Sequence, residues 1–331
     1  MGKMKEHYLA RYGQNDHELR LVPDLPASLN IELNNTCNHH CVFCPWHSKY
    51  SSYSEKLAVM DSDFCKRILD EAAELGIGRK ELGLYFRGEP TLYPGLKEII
   101  SYAKGLGFPY IFLTSNGGVI SDEKWVELIE AGLDSVRFSI NAADRETYME
   151  IHGADSFDKV CETVRFLGEY RKKSGKEFAL SVSTVLTRKT LDIQPKIRNM
   201  FSEFVDDIVF FPVERPDQFS KDVNDIYLEE VATLVADEHF VCKAIFDSMY
   251  IDVHGRVPMC CMGYRDSAYI TADLNEGISL TDAWASQKVQ QYRKLFIDGA
   301  DMSGTACENC VFYRASGNVF VEETGKTENN E

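Results

Sequence analysis

Between residues 28 and 213 the chain alternates between two patterns, and that alternation constrains the fold more than any other feature. Short apolar runs of strand length stand at SLNIEL (28–33), LGLYF (82–86), YIFLT (110–114), SVRFSI (135–140), FALSVSTVL (178–186) and DIVFFPV (207–213). Amphipathic helix patterns fill the gaps: DSDFCKRILDEAAEL (61–75), LKEIISYAKGLG (96–107), SDEKWVELIEAG (121–132), SFDKVCETVRFLGEYRKKSG (156–175) and LDIQPKIRNMFSEF (191–204). Asp61 reads as an N-cap, and Pro195 blurs the start of the last helix. Strands separated by helices must run parallel, because the helix carries the chain back to the starting edge. Right-handed crossovers then curl the sheet into a barrel or part of one. Periodicity alone leaves a doubly wound open sheet as the alternative. In both, ligands sit at the C-terminal ends of the strands.

CNHHCVFC (37–44) lies directly after the first strand, at that rim. It holds Cys37, Cys41 and Cys44 in C-x3-C-x2-C spacing. A closed zinc site needs a fourth ligand, which His39, His40 or His47 could supply. Three thiolates on a [4Fe–4S] cluster would instead leave one iron open to a small molecule. Neither reading wins on spacing alone.

The rest of the composition narrows the setting. The chain has 331 residues and a formal net charge of −16, a balance that repels nucleic acid and anionic lipid. No stretch approaches the ~18 apolar residues of a membrane span, and the first twenty residues lack a signal-peptide core. A cytoplasmic protein is expected, in which ten cysteines are metal ligands, reactive thiols or core residues rather than disulfides. Cys65 and Cys161, alone within helix patterns, read as core.

The cysteine loop resembles that of the radical S-adenosylmethionine (radical SAM) superfamily, and three further segments resemble it in order. FRGEP (86–90), after the second strand, resembles the GGEP motif that meets the SAM amino group; Arg87 replaces the first glycine, so Gly88, Glu89 and Pro90 carry over. TSNGG (114–118) resembles the segment near the SAM ribose, which implies Ser115 and Asn116 as contacts. SINA (139–142) resembles the ribose-contacting SxDG-type segment, with Ser139 kept and Asn141 in place of aspartate. Phe43 occupies the usual aromatic position before the third cysteine. The resemblance implies a cluster on Cys37, Cys41 and Cys44, and SAM on its open iron.

A second set of cysteines follows: Cys242, Cys260, Cys261, and the chelating pair Cys307-x2-Cys310. MYIDVHGRVPM reads as a hairpin that would bring Cys242 and Cys260 together. The region resembles the SPASM/twitch extension of radical SAM enzymes, with Gly255 to Cys260 as its G-x4-C step and LTDAWASQKVQQYRKLF as its helix. No cysteine follows Cys310, as in the shorter twitch form. The cysteine pattern is similar to that of the butirosin-pathway aminocyclitol dehydrogenase. This implies a second [4Fe–4S] cluster on Cys242, Cys260, Cys307 and Cys310, with a zinc knuckle as the alternative. Cys261 is left over, as a core residue, a ligand exchanging with Cys260, or a hydrogen-atom donor.

The fold so implied is α/β: a partial (β/α)6 TIM barrel with a C-terminal twitch-type iron–sulfur extension. Its parts are an N-terminal extension (1–25), the barrel (26–215), a linker helix (216–241), the auxiliary-cluster domain (242–313) and a polar tail (314–331), disordered at its end. The function implied is hydrogen abstraction by a 5′-deoxyadenosyl radical, leading to oxidation or epimerisation of a sugar or aminocyclitol. Oxidation calls for a base, for which Glu214 and Arg215 stand at the end of the sixth strand. Flavodoxin or ferredoxin is the implied electron donor. Maturation of a ribosomal peptide is the rival activity, although fewer than thirty residues precede the barrel, too few for a leader-binding domain. A non-catalytic iron–sulfur or zinc protein is the rival class.

Overall fold

The structure is a computed structural model, and it describes residues 19–49, 51, 54–213, 241–261, 269–305, 307, 308, 310 and 320–323. The expected linker helix, Glu214 and Arg215 lie outside the described residues. The alternation of the sequence becomes β1 (Ser28–Ile31), α1 (Ser62–Leu75), β2 (Glu81–Gly83), α2 (Leu96–Gly105), β3 (Ile111–Ser115), α3 (Asp122–Glu130) and β4 (Ser135–Ser139). Two helices follow, α4 (Arg145–His152) and α5 (Phe157–Ser174), and then β5 (Ala179–Leu186), α6 (Gln194–Phe201) and β6 (Asp207–Pro212). Asp61 caps α1 by accepting from the Phe64 amide at 2.9 Å. Pro195 falls in the first turn of α6, where its missing N–H costs nothing.

Further along the chain come α7 (Ala244–Asp247), β7 (Ser248–Ile251), β8 (Arg256–Pro258), β9 (Ile270–Asp273), α8 (Leu280–Trp284), α9 (Gln287–Ile297) and β10 (Phe320–Glu323). The main sheet has the order β10-β6-β5-β4-β3-β2-β1-β7. The strands from β7 to β6 run parallel, and β10 pairs antiparallel with β6. The parallel sheet therefore has a seventh strand beyond the expected six.

Two expectations change here. MYIDVHGRVPM is not a two-stranded hairpin: β7 pairs with β1, and β8 pairs with β9. The turn between them is tight, with the Asp252 amide donating to the Arg256 carbonyl at 2.9 Å. The open edge of β1 takes one arm, and the second sheet takes the other. In the expected polar tail, Phe320–Glu323 is a strand that covers the β6 edge.

The core lies between the sheet and its helices. Leu29, Ile31, Leu82, Leu113 and Phe138 pack on Leu69, Ile100 and Trp125. Strand alternation sends Ser28, Asn30, Arg137, Ser181 and Asp207 to the opposite, inner face, which is polar and buried. Cys65 and Cys161 belong to the core, as expected. Among the described residues, no helix is long and apolar enough to cross a membrane.

Candidate functional site

The cysteine loop is held from below by α4. The amides of His40 and Val42 donate to the carbonyls of His152 and Ile151, at 3.0 and 2.8 Å. These are last-turn carbonyls of α4, which have no partner within their own helix. The chain then turns through Gly153, at φ +62°, where an added Cβ would sit 2.9 Å from the His40 carbonyl oxygen. A left-handed glycine thus allows the loop to lie against the helix end.

This docking brings Cys37, Cys41 and Cys44 into mutual electrostatic range. Burial pushes the Cys37 thiol up to about 12 and Cys41 well above its ordinary value. Each sulfur also faces an N–H donor or a ring nitrogen. The His39 amide donates to Cys37 Sγ at 3.5 Å, and the Trp46 and His47 amides donate to Cys44 Sγ at 3.4 Å. His152 Nδ1 lies 3.6 Å from Cys41 Sγ. Sulfurs that are buried yet aimed at donors suit thiolates charged by a bound metal.

Loops after β2, β3 and β4 close around this one. The Glu89 amide donates to the Thr36 carbonyl at 2.7 Å, and Asn34 Nδ2 donates to the Glu89 carbonyl at 3.1 Å. Gly88 permits that approach, since a Cβ would lie 2.5 Å from the Asn34 carbonyl oxygen. The Glu89 carboxylate is buried and accepts four hydrogen bonds: from the Thr91 amide and hydroxyl, Ser115 Oγ, and the Asn116 amide. Burial raises its affinity for a proton while those donors oppose it. Asn116 Nδ2 donates to Asn38 Oδ1 at 2.8 Å, which returns the network to the cysteine loop. Pro90 is buried beside Glu89, and Phe43 and Ser139 are half-buried at the rim. Asn141 is turned inward. Its Oδ1 accepts from the Val185 amide at 2.6 Å, and its Nδ2 faces His152 Nε2 at 3.2 Å.

Arg87 departs from the glycine of the motif and has a structural task of its own. Its Nε and backbone amide donate to Glu32 at 2.8 and 2.9 Å, and its guanidinium also pairs with Glu55 and with Asp252 at 3.5 Å. Burial alone would disfavour its charge, but these carboxylates outweigh that and hold it protonated. Trp46 of the cysteine loop lies over the guanidinium, 5.1 Å from ring centroid to Cζ. Glu32 also accepts from the Val253 amide at 3.0 Å, so the network joins the β1 end to the turn after β7.

The second group of thiols forms a small buried cluster of its own. Cys260, Cys307 and Cys310 pack with Ile245, Met259 and Phe296, and Cys242 and Cys261 border them. Cys260 feels the charges of Cys242, Cys261, Cys307 and Cys310 together. The Cys310 amide donates to the Cys307 carbonyl at 3.2 Å, closing the chelating turn. Cys261, left over in the sequence, stands within this group.

Spacing of the sulfurs tests what either set would hold. Tetrahedral zinc with bonds of about 2.3 Å brings thiolates to roughly 3.8 Å of one another. Among the described residues, no three thiols come within 4.8 Å; the group that does is His39, Cys41 and His152. Three sulfurs in the first set and at least four in the second are donor sets of the kind that hold iron–sulfur clusters. His152 has no motif in the sequence. A lone histidine before a glycine at a helix end gives no spacing signal, and its role emerges only when the loop docks on α4.

The comparisons agree with this geometry. The family model described as Radical SAM superfamily matches residues 31–193, and the SPASM model, described as an iron–sulfur cluster-binding domain, matches residues 242–311. A "Probable GTP 3′,8-cyclase" of Sulfurisphaera tokodaii is 31% identical over 175 residues, 53% of this chain and 52% of the relative. The chain therefore spans about half the length of that curated relative. Among solved structures, SuiB of Streptococcus suis bound to precursor peptide SuiA aligns with a TM-score of 0.63 at 16% identity, over 88% of this chain and 71% of that one. BtrN in complex with AdoMet and 2-DOIA aligns with a TM-score of 0.52 at 16% identity, over 88% and 93%. At such identities the solved structures speak to the fold alone. The chain carries a Radical SAM superfamily domain and, C-terminal to it, a SPASM iron–sulfur cluster-binding domain, and its cofactors are [4Fe–4S] clusters and SAM.

Proposed function

We propose that this radical SAM enzyme removes a hydrogen atom from a polar small molecule, a sugar or aminocyclitol, and completes the reaction as a net oxidation. A cluster on Cys37, Cys41 and Cys44, with SAM at its open iron, supplies when bound the 5′-deoxyadenosyl radical that attacks unactivated carbon. The rim residues orient that cofactor. When SAM is bound, the backbone of Gly88, Glu89 and Pro90 would hold its amino group, Ser115, Asn116 and Ser139 would contribute to the ribose side, and Phe43 would pack beside it. The side chains of Glu89 and Asn141 turn into the fold, so they act by holding backbone in place. Reduction comes from a flavodoxin or ferredoxin.

The observation that carries the oxidation is the gathering of Cys242, Cys260, Cys307 and Cys310 into one buried group. Four thiolates leave no open iron for substrate, which favours electron uptake over coordination. Cys261 borders the same group, which supports a role as alternate ligand over one as hydrogen-atom donor. The polar inner face of the sheet suits a hydroxyl-rich substrate; among the described residues, the buried Asn30 amide has no partner there. A base must take the carbinol proton, and Glu214 is the candidate for that step, with the permanently charged Arg215 beside it in sequence.

Peptide modification is the second reading, supported by the fold shared with SuiB bound to its precursor peptide. A nucleotide substrate, suggested by the relative's name, would bring a triphosphate. The formal charge of −16 and the pairing of Arg87 with three carboxylates favour a less anionic molecule. The test incubates the reconstituted enzyme with deuterated aminocyclitols, peptides or GTP. Label arriving in 5′-deoxyadenosine from an aminocyclitol or sugar is the expected result. Label from a peptide or GTP alone would overturn the substrate class.

A further inference from the structure

We propose that His152 donates a hydrogen bond from Nδ1 to the Cys41 thiolate and thereby raises the reduction potential of the cluster that the loop holds. The inference rests on the reading above that Cys41 is a cluster ligand. It begins from the other side of the ring. The Asn141 backbone amide donates to His152 Nε2 at 3.1 Å, and the Asn141 side-chain amide faces the same nitrogen at 3.2 Å. A backbone N–H can only donate, so Nε2 is the acceptor and carries no proton. The ring proton therefore resides on Nδ1, which lies 3.6 Å from Cys41 Sγ.

Nothing about the ring is free to turn. His152 is fully buried, and Tyr148 stacks on it at 3.8 Å with planes 10° apart. Its own carbonyl accepts from the His40 amide at 3.0 Å, fixing the loop against α4 from the same residue. Donor and sulfur are thus held in register by the backbone that docks the loop.

The consequence follows from charge. When the cluster takes one electron from an external reductant, negative charge grows on its sulfurs. A donor aimed at one of them stabilises the reduced form more than the oxidised form, so the potential rises. His152 is fully buried and acts through Cys41 as a positioning residue. Asn141, standing at the aspartate position of the family segment, then acts by fixing the tautomer of His152.

The test is a potentiometric titration of the anaerobically reconstituted full chain without SAM, reduced with dithionite. It follows the EPR signal that disappears in Cys37→Ala. His152→Leu keeps bulk and removes the donor, while His152→Gln keeps an acceptor and a donor. With iron content unchanged, we expect His152→Leu to lower the reduced-to-oxidised ratio at fixed potential about tenfold, equal to 59 mV for one electron. His152→Gln should recover most of that loss. An unshifted potential in iron-replete His152→Leu overturns the inference. If His152→Leu takes up no iron, wild-type protein with ring-¹⁵N histidine decides. A hyperfine-coupled ring nitrogen supports the bond, and its absence from the reduced cluster overturns it. A wild-type chain whose iron content is unaffected by Cys37→Ala sinks the ligand reading beneath, a result distinct from an unshifted potential.

Discussion

At residue scale, Arg87 is the clearest departure from the family motif. Its charge lies among Glu32, Glu55 and Asp252 in a largely buried site, with Trp46 over its face. Removing the cation would leave the fully buried Glu32 without a cation, while Glu55 and Asp252 would keep Arg256. Arg87→Ala should therefore destabilise the chain by about 3–5 kcal/mol. Arg87→Lys should recover little of this, because an ammonium cannot reproduce the forked contacts or the stacking. Urea denaturation of the three proteins under reducing conditions checks both statements. An Arg87→Ala midpoint equal to wild type would show that the network carries no weight. The sequence revealed only that arginine replaced glycine. Its partners lie 55 and 165 positions away, Glu32 and Asp252, and no local pattern points to them.

At the scale of elements, the β–α alternation was legible because periods of two and 3.6 residues are written locally. Cys65 and Cys161 were legible as core for the same reason, being in phase with the apolar faces of α1 and α5. The hairpin around Gly255 was misread because strand pairing is a long-range choice. The free edge of β1 competes for Ser248–Ile251 from more than two hundred residues away, and wins. Helix α4 was missed as well. It has eight residues, too few for a repeating apolar pattern to stand out, and its end is held by the loop it carries. That loop gives a test. Gly153→Ala would add a Cβ 2.9 Å from the His40 carbonyl oxygen at a left-handed φ. The backbone term alone is about 1–2 kcal/mol, and relief requires the loop to lift from α4. Iron analysis after reconstitution should show loss of up to about four irons per chain, confined to the N-terminal cluster. Full iron in Gly153→Ala would mean that loop and helix end are not coupled as described.

At the scale of the whole molecule, one sheet joins the two cysteine regions. β1 leads into the cysteine loop on one side, and pairs with β7 of the C-terminal region on the other. The Arg87 network crosses the same seam through Val253 and Asp252. The β1–β7 pairing and the Arg87 network thus tie the rim, where a substrate radical would form, to the C-terminal region that carries the second thiol group. That the C-terminal cysteines cluster was implied by the resemblance to the SPASM/twitch extension, since spacing alone marked only the Cys307–Cys310 turn; which of the five serve as ligands was not legible, because Cys260 and Cys261 are adjacent and both reach the group.

The central claim is that Cys37, Cys41 and Cys44 hold a cluster with one iron left for SAM. The most direct measurement is release of 5′-deoxyadenosine from SAM by the anaerobically reconstituted chain with dithionite, alongside Cys37→Ala, Cys41→Ala and Cys44→Ala. The account predicts release by wild type at about eight irons per chain, two clusters of four, and none from any of the three variants. Fully loaded wild-type protein that leaves SAM intact, or variants that cleave it as well as wild type, would contradict the account.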